Sequence, residues 1–422
     1  MTSAYETHSR FFQYRGNELF VENVLLREIA QSYGTPTYVY SQNAILDAFN
    51  GYRRGLDGLP HLVAFAVKAN GNQAILHTLA QAGSGADLTS GGELALALRS
   101  GIPADRMIYS GVGKTDEEIR EALRAGILMF NVESEPELET IDRLAQEVQK
   151  RAPVSFRVNP DIDAKTHPKI TTGLREHKFG IFWESAVELY RKAAKMKGIE
   201  IMGISSHIGS SLQDATPLLQ ALDRLLELKN ALRGAGIEIS RLDLGGGLGI
   251  QYQSENPDLP EEYAAKVREK IRSSGATLIL EPGRSIVGNA GVIVCRVLYV
   301  KRTADRTFII VDAAMNDLAR PAIYGAYHEI VPVRLSGEEQ ELVDVAGPIC
   351  ESSDVFGKQR PLPPCQPGDL LAICSAGAYG FAMASRYNGR VMPAEAMAEG
   401  ERHWLIRRRE TYEDLFRHQM GF

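Results

Sequence analysis

The sequence predicts a (β/α)8 TIM-like barrel joined to a second, β-rich domain, and three observations carry that expectation. Residues 60–284 alternate short apolar runs with longer amphipathic segments eight times. Several of those runs are rich in Val and Ile without polar alternation, as strands covered on both faces require. After Gly291 the texture changes to strand-like runs punctuated by Gly, Pro and Asp. A chain of 422 residues also exceeds what one core ordinarily holds, so two domains are expected.

In chain order, the barrel runs are His61–Val67, Gly85–Thr89, Met107–Ser110, Ile127–Val132, Val154–Val158, Ile201–His207, Leu242–Leu244 and Leu278–Glu281. Helices are expected between them. In Ser134–Arg151 the apolar positions Leu138, Ile141, Leu144, Ala145 and Val148 recur at helical spacing. Ser134 with Glu137, and Thr115 with Glu118, have the form of capping boxes, each satisfying free N–H groups at a helix start. A doubly wound open sheet is the alternative this alternation leaves open. In the second domain the strand-like runs are Val292–Val300, Thr307–Val311, His328–Arg334, Glu341–Ala346 and Leu370–Ser375. Tyr38-Val39-Tyr40 is strand-like too, and the segment up to Pro36 is expected to pack with the β-rich domain. The expected division is therefore a barrel of residues 37–285, with residues 1–36 and 286–422 forming a β-sandwich or β-barrel.

Composition narrows the function classes. The chain is 44% hydrophobic and 24% charged, the balance of a soluble globular protein. A net charge of -6 with mixed signs is no footprint for nucleic acid, and the run Arg407-Arg408-Arg409 reads as a solvated face. The N-terminus lacks the apolar core of a signal peptide, and no apolar run is long enough to cross a bilayer. Cys295, Cys350, Cys365 and Cys374 form no CxxC pair, which disfavours a disulfide framework or a zinc site and fits a reducing cytoplasm.

In such a barrel the chemistry sits at the C-terminal ends of the strands. Those ends carry Lys68, Asp87, Arg157, His207, Gly245-Gly246-Gly247 and Glu281. An amine closing a buried strand is a candidate Schiff-base nucleophile, because desolvation lowers its pKa. Glycines let backbone N–H groups approach an anion. The flat His207 ring suits a flat cofactor, and a carboxylate facing a pyridine nitrogen holds that nitrogen protonated. Each residue has a plainer reading: a snorkelling lysine, a tight turn, a core histidine, a barrel salt bridge. Their arrival at one mouth favours the joint reading.

FAVKAN (Phe65–Asn70), HIGS (His207–Ser210), GGGLG (Gly245–Gly249) and EPGR (Glu281–Arg284) resemble the fold-type III pyridoxal-phosphate (PLP) decarboxylases. The likeness runs through nearly the whole chain. It extends to DAAMNDLARPAIYGAYH (Asp312–His328), GPICESSDVF (Gly347–Phe356) and GAYGFAMASRYN (Gly377–Asn388), segments similar to those of diaminopimelate decarboxylases. The resemblance implies PLP as cofactor, linked to Lys68, with His207 stacked on the ring and Glu281 at the ring nitrogen. It places Ser210, Gly245, Gly246, Gly247, Pro282, Gly283 and Arg284 around the phosphate, with Asp87 and Arg157 in support. It assigns Arg284, Arg320, Tyr324 and Glu351 to the substrate, Tyr379 to substrate and cofactor, and Cys350 to proton donation. It implies no metal. In the family, Cys350 and Glu351 reach the active site of a neighbouring subunit, so a homodimer is the expected functional unit. Arg320 as a surface cation, Tyr379 as a core aromatic and Cys350 as an inert thiol are the plain alternatives; the flanking residues decide against them.

The implied reaction is removal of CO2 from meso-diaminopimelate to give lysine. Decarboxylases of ornithine, arginine or carboxynorspermidine share the barrel and cofactor; arginines plus a glutamate suit a zwitterionic distal end and favour diaminopimelate over ornithine, which has no distal carboxylate. Alanine racemase, with the same barrel, uses an arginine at the ring nitrogen where this chain has Glu281. A non-catalytic PLP-binding protein has no need of Lys68 or Cys350. One departure stands out: Ser205 lies where the family often has a second histidine, two residues before His207.

Overall fold

The computed structural model describes residue 5 and residues 7–162 and 179–421. Two compact units emerge, one of Leu46–Ile250 and Asn256–Ser285, the other of Met1–Ile45, Gln251–Glu255 and Ile286–Phe422.

The first unit is a closed parallel barrel. Its strands, first to eighth, are His61–Ala66, Gly85–Leu88, Met107–Tyr109, Met129–Val132, Ala152–Asn159, Ile199–Ser205, Arg241–Asp243 and Thr277–Leu280. Each pairs with the next in parallel, and the eighth returns to the first through Leu278↔His61, Ile279↔Leu62 and Leu280↔Val63. That closure excludes the open doubly wound sheet. All eight expected strands are present, with ends shifted by one or two residues. A short strand, Ile181–Phe182, adds to the outside of the fifth and was not foreseen.

Side chains alternate along a strand, and Leu62, Ala64, Ile108, Met129 and Ile279 meet as one buried cluster. The residue two further along each strand points the same way. Thus Ile108 leads to Ser110, Met129 to Asn131 and Ile279 to Glu281, and the interior turns from apolar to polar at the C-terminal end.

Thr115 caps helix Asp116–Ala125 with the reciprocal box expected: its hydroxyl accepts from the Glu118 N–H and the Glu118 carboxylate accepts from the Thr115 N–H. The second expected box is half-formed. Ser134 caps helix Glu135–Glu147, but the Glu137 carboxylate accepts instead from Lys114 Nζ at 2.6 Å and from the Glu133 N–H at 2.8 Å.

The second unit is β-rich. Its long strand Gly291–Arg302 pairs antiparallel with Thr37–Ser41, Thr307–Val311 and Leu370–Ile373. Thr37–Ser41 also pairs in parallel with Ala394–Glu399. This pairing draws residues up to Ile45 into the unit, so its boundary lies beyond the expected residue 36, and Gln251–Glu255 joins it as well. The stretch before Tyr38, strand-like in parts, forms a small sheet of Phe12–Arg15, Glu18–Val21 and Val24–Leu25, whereas sequence periodicity did not reveal Val355–Leu362, Ala394–Glu399 or Arg402–Arg407. The core joins Phe12, Leu19, Val21 and Ile29 to Val39, Val292, Val294 and Ala372.

The basic run Arg407-Arg408-Arg409 is not a uniform solvated face. Arg407 pairs with the fully buried Glu395. Arg409 donates to the Pro36 carbonyl at 2.7 Å and the Thr37 hydroxyl at 3.0 Å; Arg408 is the most exposed, 3.7 Å from Asp414. No helix among the described residues is long and apolar enough to cross a membrane.

Candidate active site

The C-terminal ends of the barrel strands bring eight sequence-predicted positions into one unit. Lys68 sits in the single 3-10 turn Val67–Ala69 that follows the first strand. Its half-buried amine donates to Asp87 Oδ2 at 2.9 Å, and Asp87, closing the second strand, is fully buried. The other carboxylate oxygen, Asp87 Oδ1, is buried without a hydrogen-bond partner.

Arg157, on the fifth strand, pairs with Glu133 at 2.8 Å and donates to the His207 carbonyl at 3.4 Å. Glu133 also accepts the Gly180 N–H at 3.0 Å. His207 follows the sixth strand, and its Nδ1 accepts the Gly246 N–H at 3.3 Å. Burial first, then the Arg157 and Lys68 charges, push the imidazole well below its ordinary pKa. The ring is therefore neutral, a flat uncharged face.

The glycine run is shaped by close packing of backbone on backbone. A Cβ on Gly246 would lie 2.3 Å from the Glu281 carbonyl, and one on Gly247 would lie 2.7 Å from the Gly209 carbonyl. Gly245 and Gly247 have φ of 68° and 120°, where other residues are strained. Beside this turn, Arg284 Nη2 donates to Ser210 Oγ at 3.3 Å, and Gly283 packs so tightly that a Cβ there would meet Ala69 at 2.9 Å.

Glu281 is 7% exposed and shares its buried surroundings with Asp243, 0% exposed. Burial, then Asp243 and Asp87, raise the Glu281 carboxyl well above its usual range. Burial likewise raises Asp243 to about 6. Two adjacent carboxyls out of water cannot both ionise, so the pair retains a proton, and it sits on Glu281. Sequence reasoning missed Asp243, Asn131 and Glu133. Their signal is a polar residue in the inward register of an otherwise apolar strand.

The other predicted residues belong to the β-rich unit. Arg320 is buried, 2.8 Å from His328 Nε2 and 4.8 Å from the centre of the Tyr252 ring. Tyr324 ends the short helix Arg320–Tyr324, and Tyr379 has a φ of 54°. Cys350 is exposed and free. Its neighbour Glu351 accepts from Ser353 at 2.6 Å and from Tyr387 at 2.7 Å.

The profile of the family described as "Pyridoxal-dependent decarboxylase, pyridoxal binding domain" matches residues 42–288, which span the whole barrel. Diaminopimelate decarboxylase of Pseudomonas aeruginosa is 50% identical over 405 residues, covering 96% of this chain and 97% of that protein. The chain belongs to the diaminopimelate decarboxylase family. The Neisseria meningitidis serogroup B member is also 50% identical, over 404 residues and 96% of this chain. Among solved structures, the M. jannaschii diaminopimelate decarboxylase in complex with L-lysine superposes with a TM-score of 0.93 at 38% identity, covering 99% of both chains. The Helicobacter pylori enzyme with L-lysine gives 0.89 at 42% identity, covering 93% of this chain and 98% of that one.

Members of this family are PLP enzymes, and the residues present fit that cofactor. A half-buried primary amine and a buried carboxyl that favours its protonated form follow the adjacent first and eighth strands. A neutral imidazole, the serine hydroxyl of Ser210 and the guanidinium of Arg284 are the further groups a phosphorylated pyridine requires.

Proposed function

We propose that this chain removes the carboxylate from the D-centre of meso-2,6-diaminopimelate, giving L-lysine and CO2 as the last step of lysine biosynthesis. The observation that carries this reading is the meeting of the Lys68 amine, paired with Asp87 at 2.9 Å, and the buried Glu281 carboxyl at neighbouring strand ends, in a chain half identical to enzymes named for this substrate.

When bound, PLP supplies a conjugated ring that takes up the electron pair left by CO2. Everything else is work for side chains. Lys68 anchors the cofactor, with Asp87 beside it to hold its charge. Glu281 keeps a proton at the ring nitrogen, His207 lies neutral against the ring face, and Arg157 steadies the His207 loop through its carbonyl. Ser210, Gly245, Gly246, Gly247, Pro282, Gly283 and Arg284 surround the phosphate. Arg284, Arg320, Tyr324, Glu351 and Tyr379 grip the two ends of the substrate, and Cys350 protonates Cα. In this reading the enzyme is a cytoplasmic homodimer, each barrel completed by the partner subunit's Cys350 and Glu351.

The reaction is tested by CO2 release from meso-, LL- and DD-diaminopimelate, lysine, ornithine and arginine. Release from the meso isomer alone is expected; release from ornithine or arginine without it overturns the reading. The shared site is tested by mixing inactive Lys68→Ala and Cys350→Ala homodimers. Random exchange makes about half the dimers mixed, each with one intact site, so activity recovers to about one quarter of wild type. No recovery, with exchange verified, means the Cys350 loop serves its own barrel.

A further inference from the structure

Asp243 closes the seventh barrel strand, and three donors converge on its fully buried carboxyl group. Oδ1 accepts the Gly245 N–H at 2.9 Å, and Oδ2 accepts Asn131 Nδ2 at 3.0 Å. The third is the Glu281 carboxyl, which is hydrogen-bonded to Asp243. Asn131 Nδ2 also reaches Glu281 Oε1 at 3.3 Å and Ser110 Oγ at 3.2 Å, so one amide links both acids. Asn131 is itself 3% exposed, and its Oδ1 has no partner. An amide whose donor side faces two carboxyls while its acceptor is left unsatisfied costs free energy, so the arrangement needs a purpose beyond packing.

We infer that Asp243, held by Gly245 and Asn131, is the positioning residue that keeps a proton on Glu281 ready for the ring nitrogen of the cofactor. This rests on the PLP reading of the same site. An acid with three donors stays the anion of the pair, and the neighbouring acid holds the proton. The charged groups facing Glu281 are Asp243, Asp87 and Lys68. Asp87 is engaged by the Lys68 amine at 2.9 Å, which leaves Asp243 as the uncompensated negative charge. On docking, the proton moves from the Glu281 oxygen to the ring nitrogen; the Asp243 charge then favours the protonated ring over the neutral one. No atom is exchanged beyond that proton.

The test is the titration of the holoenzyme loaded with 15N-labelled PLP, following the ring-nitrogen resonance with pH. Asp243→Asn keeps the shape and removes the charge, so the ring nitrogen should lose its proton at least about one pH unit lower than in wild type, roughly tenfold in proton affinity. Asn131→Ala keeps both acids and removes the donor that stabilises them as anions, so the titration should move upward. A purely structural role loosens the cofactor in both variants and gives no such opposite signs. Should Asp243→Asn fail to hold the cofactor, the upward shift in Asn131→Ala decides alone. An unmoved titration, or shifts of the same sign, overturns the proposal while leaving the cofactor assignment intact. A wild-type holoenzyme without a bound-ring resonance overturns the assignment and the proposal together.

Discussion

Glu281 and Glu351 are the same side chain held in opposite ways. Glu281 lies inside the barrel mouth beside another acid, and burial forces it to keep a proton. Glu351 stands in solvent on a loop of the β-rich unit, where the Ser353 hydroxyl, then the Tyr387 hydroxyl, lower its pKa and hold it as an anion. Water excluded favours the protonated carboxyl; water admitted, with two hydroxyls to fix both oxygens, favours the anion. A single residue type thus serves at two places for two purposes, and the surroundings choose which.

Removing the ionisable group from each side of this comparison should give unequal effects. The largest is expected for Glu281→Gln, which should retain PLP but lower turnover by roughly a hundredfold or more, as loss of an acid–base group does; CO2 release measures it. The same variant should alter the pH dependence of apoenzyme stability. The folded pKa of Glu281 is raised above its unfolded value of 4.5. Its contribution is therefore fully present below pH 4.5 and is lost as pH rises through the folded value, because the unfolded chain ionises freely there. Apo Glu281→Gln should melt higher than apo wild type at pH 8, by about 3 °C, with the gap closing near pH 4.5. A constant gap would show that the proton is not the cause.

A smaller effect is expected on the exposed side. Ser353→Ala combined with Tyr387→Phe frees Glu351 without deleting it. The KM for meso-diaminopimelate should rise roughly three- to tenfold with kcat nearly unchanged, the pattern of lost uniform binding. A fall in kcat instead would place the pair in the chemical step. The smallest is expected for Arg143→Ala, which breaks exposed contacts to Asp116 and Glu147 at 2.8 and 2.7 Å. Such pairs contribute little, so melting temperature and turnover should both stay at wild type; a clear drop in either would show that surface pairs matter here as much as buried ones.

The barrel was legible because its strands are buried on both faces. Runs such as Leu62–Val67 carry no polar interruption, and their ends announce themselves through Lys68, Asp87 and Glu281. The β-rich unit hid more. Val355–Leu362 contains Lys358, Gln359 and Arg360 in sequence, and Arg402–Arg407 mixes charge with Trp404 and Leu405; neither keeps a clean period of two. The missed site residues are missed for a related reason. Asn131 and Asp243 sit inside the runs Ile127–Val132 and Leu242–Leu244, where they pass as polar interruptions of apolar strands, and only the closed ring reveals that both point inward. The half-formed cap at Ser134 failed because Lys114, twenty residues away, competes for Glu137.

Ring closure carries one more consequence. The first and eighth strands lie more than two hundred residues apart in sequence, yet the Ala66 N–H donates to the Pro282 carbonyl at 3.1 Å. Lys68 and Glu281 are neighbours only because that last seam is sewn. A ribosome that has released the first seven strands has made Lys68 but not the Glu281 that will lie beside it, and long-range seams of this kind form late. A barrel short of its last strand therefore lacks the Glu281–Arg284 turn, and the mouth is whole only once that strand pairs with the first.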